Sequence, residues 1–98
     1  MTKVIHTDIV EEDKIIKILE DEGYFNIFKW CDREGSYYMP HTHPYYEVRW
    51  IISGELKIIE PDREVILKAG DRYESMPNIE HSAQALSDVC YICGSKEI

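Results

Sequence analysis

From residue 24 onward the chain alternates. Apolar and polar residues trade places at every second position through seven short segments: YFNIFKWC (24–31), YYEVRWII (45–52), ELKIIE (55–60), REVILK (63–68), DRYESM (71–76), HSAQAL (81–86) and VCYIC (89–93). Successive side chains of an extended strand point to opposite faces, so a period of two marks a strand with one buried face. Turn formers bound the segments: Asp32 to Gly35, Ser53-Gly54, Pro61-Asp62, Ala69-Gly70, Pro77-Asn78 and Ser87-Asp88. Seven or eight short strands at this spacing predict an all-β sandwich or barrel. Nothing helical alternates with them, which excludes a parallel α/β sheet.

One helical signal precedes the strands. Asp8, with Glu11 three residues later, reads as a capping-box start, and Gly23 supplies a stop. Between them EEDKIIKILEDEG sets Ile15, Ile18 and Leu19 on one face. A helix is predicted over about 9–22 and a barrel over about 24–94, in one domain spanning 1–98. Apolar residues are 44% and charged residues 31%, a globular balance that argues against disorder. The 11 basic and 19 acidic residues give a net charge of −8, which repels phosphate backbones and anionic lipid. Neither nucleic acid nor membrane is therefore expected as a partner. No apolar run approaches the roughly 20 residues needed to span a bilayer, and MTKVIHTDIVEEDK has no apolar signal core, so a cytoplasmic protein is expected. On that basis Cys31, Cys90 and Cys93 are expected to be free thiols. Cys90 and Cys93 spell C-x-x-C, but on a strand positions three apart face opposite sides, so they read as ordinary strand cysteines.

The stretch GSYYMPHTHPYYEVRWIISG (35–54) holds two of the four histidines. His41, His43 and Glu47 share parity and would face one side of an extended chain. Imidazoles two apart on a strand have Cα atoms roughly 7 Å apart and can converge on one ion about 2.1 Å from each nitrogen. His81 starts a later segment after the Pro77-Asn78 turn, so three histidines fall at strand starts, while His6 stands apart in the leader. An H-x-H pair also occurs in wet loops without any ion. Here the aromatic surroundings favour burial, and burying two imidazoles and a carboxylate costs several kcal/mol unless they are paired or bind a metal.

The same stretch resembles the first motif of the cupin superfamily, G-x5-H-x-H-x3-E-x6-G. Gly35, His41, His43, Glu47 and Gly54 occupy every fixed position at the family spacing. The second motif, commonly G-x5-P-x-G-x2-H-x3-N, is matched more loosely. Gly70 stands eleven residues before His81, Met76 replaces the proline with Pro77 one later, Asn78 replaces the glycine, and Ala85 replaces the asparagine. Asn tolerates the left-handed backbone that the glycine would adopt.

The resemblance implies a single-domain cupin β-barrel of the jelly-roll (double-stranded β-helix, RmlC-like) type with one short N-terminal helix. It implies a divalent transition metal held by His41, His43, Glu47 and His81. Three imidazoles and a carboxylate suit iron, manganese, nickel, cobalt, copper or zinc without choosing among them. Similar proteins include dioxygenases and sugar-phosphate isomerases, so a metal-dependent enzyme acting on a small oxygenated or carboxylate compound is expected. A non-catalytic metal-centred binding or sensing protein remains the alternative, and a purely structural metal a third. No catalytic residue beyond the metal set stands out. Arg49 shares parity with Glu47 and would either grip a substrate carboxylate or sit at the rim; Tyr37 and Met39 would be pocket walls or core. Tyr73 and Gln84 are weaker wall candidates. Trp50, of opposite parity, is expected to face a sheet or a dimer partner. Cupins are commonly dimers, so a homodimer is expected, with the N-terminal segment placed to extend a partner's sheet.

Overall fold

The computed structural model describes residues 2–97. Its elements in chain order are β1 (Lys3–His6), α1 (Glu12–Asp21), β2 (Phe25–Asp32), β3 (Tyr37–His41), β4 (Tyr46–Ser53), β5 (Leu56–Glu60), β6 (Arg63–Leu67), β7 (Asp71–Ser75), β8 (His81–Ala85) and β9 (Val89–Lys96). They form two antiparallel sheets, β1-β7-β4-β9-β2 and β3-β8-β5-β6, packed face to face as the all-β jelly-roll reading expects. Both inner faces supply one apolar core: Ile51, Leu56, Ile58, Leu67, Tyr73, Ala83, Ala85, Val89 and Tyr91.

The helix makes a second layer. Ile15 and Leu19 are fully buried against Tyr24, Val48, Trp50 and Ile92 on the outer face of the five-stranded sheet, with Ile18 partly buried beside them. Fully burying a side chain of this size adds about 1.5–3 kcal/mol. Trp50 thus faces neither a bare sheet nor a partner copy. It is 2% exposed beneath its own helix, and its Nε1 donates to the carbonyl of Ile9 at 2.9 Å. Arg72 lies over the Trp50 ring at 5.3 Å and pairs with both Glu22 and Glu74, tying the end of α1 to β7.

The helix starts later than the sequence predicts. Its N-cap is Glu11, which makes no side-chain capping bond, and Asp8 lies outside it with φ 61°. The cause is tertiary. Thr7 donates from both its backbone N–H and its hydroxyl to the Gly70 carbonyl, at 2.9 and 2.6 Å, and a Cβ on Gly70 would come within 2.8 Å of the Asp8 Cα. Residues 7 and 8 are thereby committed to the turn before β7. The N-terminal segment joins its own chain's five-stranded sheet as an edge strand. As β1 it pairs with β7 of its own chain, with Val4 opposite Tyr73.

The cysteines also differ from expectation. Cys31 and Cys90 face each other across β2 and β9 and form a disulfide, with Cα atoms 4.1 Å apart. Their separation of 59 residues hid the pairing; only the strand register brings them together. Cys90 and Cys93 do point to opposite faces, and Cys93 remains free. Among the described residues no helix is long and apolar enough to cross a membrane.

Candidate functional site

Strand register lays out the concave face of the five-stranded sheet in rows. Arg49 pairs with Tyr73 on one side and Cys93 on the other, and Cys93 pairs with Phe28. One row away Ile51, Tyr91 and Trp30 line up, and on the other side Ser75, Glu47 and Ser95. The facing sheet contributes His41 opposite His81, the last pair of the β3–β8 ladder. His43 follows in the loop before β4, and its carbonyl accepts from the Asn78 N–H at 2.7 Å, which docks the two histidine-bearing loops together. Asn78 has φ 64°, the left-handed backbone expected where the family motif carries glycine.

Three histidines converge there. Their ring centroids lie 4.8 Å (His41–His43), 4.5 Å (His41–His81) and 5.5 Å (His43–His81) apart. One ring nitrogen from each lies within 4.8 Å of the others. His81 is 1% exposed. The Nδ1 atoms of His41 and His81 each sit against a backbone carbonyl two residues back, Met39 O at 2.7 Å and Ile79 O at 3.1 Å. A carbonyl only accepts, so Nδ1 carries the hydrogen in both rings and Nε2 keeps its lone pair. The Nε2 atoms of His43 and His81 are buried without a hydrogen-bond partner. Burial holds both rings below the ordinary imidazole pKa; the Glu47 carboxylate opposes this at His43, while Arg49 adds to it at both. Neutral imidazoles with free, inward nitrogens are the form that ligates a transition metal.

Glu47 stands beside this cluster, its Oε2 3.4 Å from His43 Nε2 and its Oε1 3.4 Å from Arg49 Nη2. Arg49 is inside rather than at the rim. It is 9% exposed, and its Nε and Nη1 have no partner. Glu47 and Arg49 form part of the wall of a cavity of about 760 Å³, together with Phe28, Trp30, Tyr38, Tyr45, Tyr91 and Cys93. The histidines do not line that cavity. They border it through Glu47 and Tyr45, the latter stacked on His43 at 5.2 Å, and His81 lines a smaller cavity of about 150 Å³ with Glu60 and Glu80.

Tyr37 and Met39 lie outside, 54% and 74% exposed. The β3–β8 register is irregular between Tyr38 and His41, so parity counted back from His41 fails and Tyr38 is the residue that turns inward. Tyr73 is buried and donates to Glu60 Oε2 at 2.5 Å. Gln84, on the opposite face from buried Ala83 and Ala85, is no wall of either cavity. His6 is far from the cluster and meets Asp71 at 2.5 Å. Tyr91 and Cys93, which the alternation of VCYIC places on one face, are wall residues that sequence reading passed over.

No curated protein matches the chain. Solved structures resemble it in fold. An RmlC-like cupin from Shewanella frigidimarina NCIMB 400 is 21% identical with TM-score 0.67, over 74% of this chain and 65% of its own. A DUF861 family protein from Thermotoga maritima is 16% identical with TM-score 0.67, over 95% and 97%. The DMSP lyase DddQ from Ruegeria pomeroyi DSS-3 is 19% identical with TM-score 0.65, over 71% of this chain and 36% of its own. The chain thus spans under two thirds of the Shewanella protein and about a third of the lyase. The family model described as Cupin domain matches residues 30–93, most of the barrel, and with this sheet topology the chain belongs to the cupin family.

Proposed function

We propose that His41, His43 and His81, with Glu47 beside them, hold one divalent transition metal ion (iron, manganese, nickel, zinc, cobalt or copper). We further propose that the chain is an enzyme of dioxygenase or isomerase type acting on a small oxygen-rich compound. The observation that carries this reading is a cluster of three imidazoles in which the buried His81 Nε2 has no hydrogen-bond partner and the buried His43 Nε2 meets only the Glu47 carboxylate, at 3.4 Å. A buried acceptor without a partner costs about 1–3 kcal/mol, and a metal ion would satisfy His81 while taking His43 and Glu47 as neighbours. Two nitrogens each about 2.1 Å from one ion stand at most about 4.2 Å apart, so the widest pair of ring nitrogens, within 4.8 Å here, would have to close on binding.

The metal would act as a Lewis acid toward a substrate oxygen, leaving coordination positions open beyond the protein ligands. The chain's own residues supply the rest. The Met39 and Ile79 carbonyls hold two imidazoles in one tautomer, and Tyr45 holds the third by stacking. Phe28, Trp30 and Tyr91 give the adjoining cavity an aromatic wall against which a substrate body would pack. A lyase among the similar folds agrees with an enzymatic use of this scaffold.

The test is elemental analysis of protein from metal-replete cells, followed by oxygen-uptake and isomerisation assays on the metal that is found. One ion per chain and product formation support the enzyme. One ion with tight ligand binding and no product moves the reading to a sensor or carrier, and no ion removes it.

A further inference from the structure

We propose that Arg49 is the anchor for a monocarboxylate ligand with a flat, aromatic or conjugated body, bound in the large cavity beside the histidine cluster. The proposal deepens the reading of a metal-centred small-molecule site and rests on it.

The anchor is identified by what it lacks. A guanidinium has five N–H donors in a planar fork, and Arg49 is nine-tenths buried with Nε and Nη1 unpartnered. The carboxylate facing it, Glu47, lies 3.4 Å from Nη2 alone, too long for a strong charge-assisted bond. Tyr91 offers only its ring, 6.0 Å from Cζ, because its hydroxyl donates to Asp32. Cys93, paired with Arg49 across the sheet, does not neutralise it; burial pushes that thiol up to about 11, so it stays protonated. A buried cation with two unsatisfied donors, in a residue that lines a cavity, calls for an acceptor that a small side-chain shift brings within reach. Nε and Nη1 lie on different edges of the fork and each shares its edge with Nη2, so a carboxylate takes one hydrogen bond from a free nitrogen and a second from Nη2, whose contact with Glu47 is long at 3.4 Å.

Charge selects a monoanion. Arg49 is the only cationic residue lining the cavity among the described residues, and Glu47 stands on the same wall. With Glu47 already beside Arg49, a monocarboxylate brings one negative charge beyond balance and a dianion such as a phosphate monoester brings two, so the wall of a chain of net charge −8 favours the monoanion. Shape selects the body. Phe28, Trp30, Tyr38, Tyr45 and Tyr91 give the cavity ring faces and edges, which favour offset or edge contacts with a flat partner. The Arg49–Glu47–His43 sequence of 3.4 Å steps then puts the carboxyl end of the ligand nearest the imidazoles, with its body toward Phe28 and Trp30.

The experiment uses benzoate as probe and benzamide as its uncharged counterpart. Each is titrated into the full chain by calorimetry and by Trp30 fluorescence, once loaded with Zn(II) and once stripped with chelator. The proposal expects saturable benzoate binding in both forms, at least about tenfold weaker benzamide binding, and a loss of about tenfold or more in Arg49→Gln, corresponding to about 1.4 kcal/mol. Equal binding of the two probes overturns it. So does benzoate binding that needs Zn(II) and survives in Arg49→Gln, because the carboxylate then goes to the metal. If Arg49→Gln does not fold, judged by circular dichroism, the benzoate–benzamide comparison on the wild-type chain decides alone. Failure of Zn(II) uptake with Arg49-dependent benzoate binding intact removes the metal reading and leaves the anchor standing.

Discussion

His41 and His81 lie opposite each other at the end of the β3–β8 ladder, with ring centroids 4.5 Å apart. Each is held by the same device, a hydrogen bond from Nδ1 to the carbonyl two residues earlier. Two rings forty positions apart in sequence are thus fixed in the same tautomer with their second nitrogens free. A solvated surface pair has no need of that arrangement, and each prediction about the metal follows from it.

Removing a ring should remove the ion while leaving the barrel. His43→Ala and His41→Ala, both at half-buried positions, are expected to weaken metal binding by about 100-fold or more, beyond the 10–100-fold typical of outer partners. Melting temperature of the metal-free protein should shift by only a few degrees. His6→Ala, at an exposed position remote from the cluster, should leave affinity unchanged. Equal losses from His6→Ala and His43→Ala would contradict the assignment.

Metal-free protein should lose stability in mild acid. Burial holds His43 and His81 below the ordinary imidazole value, which is about 6.5 in the unfolded chain. The unfolded state therefore takes up protons first. The contribution is fully present above about pH 6.5 and is lost as pH falls toward the depressed folded values. Urea midpoints measured with chelator at pH 7.5, 6 and 5 should fall in that order. A flat or rising series would show that these rings are not buried as neutral imidazoles.

The disulfide makes a count. Denatured but unreduced protein should titrate one thiol per chain, Cys93, out of three cysteines. Reductant should raise this to three and cost about 2–4 kcal/mol of stability, the typical value for a bridge. Three reactive thiols before reduction would return the molecule to the free-thiol expectation.

Two glycines of the first motif should behave differently. A Cβ on Gly54 would fall 2.1 Å from the Asp88 carbonyl oxygen, at φ +79°. Gly35 shares the positive φ, at +89°, but has open space around it. Gly54→Ala is expected to cost about 4 kcal/mol or more, in the exceptional range for one substitution. Gly35→Ala should cost only the backbone penalty, about 1–2 kcal/mol. Chemical denaturation of both variants checks the ranking.

What was legible in the sequence followed from local periodicity. The helix face of Ile15 and Leu19 and seven of the strands were visible because alternation and 3.6-residue spacing are properties of neighbours. The rest depended on pairing. β1 is only four residues long and reads as leader until β7 is beside it. β3 carries Pro40 and an unbroken YYM run, which hides a strand that is viable only at a sheet edge. Its irregular register turned Tyr37 and Met39 away from the face expected of them. The histidines were recognisable from their spacing, whereas the unpartnered guanidinium of Arg49 and the Cys31–Cys90 bridge exist only once β4 and β2 lie against β9.

Cobalt(II) titration followed by visible absorption tests the central claim most directly, because ligand-field bands report nitrogen coordination and counting together. The account predicts bands that grow to a sharp break at one ion per chain in the wild type and are absent in His41→Ala, His43→Ala and His81→Ala. Wild-type protein with no such bands, or variants that keep them, would contradict it.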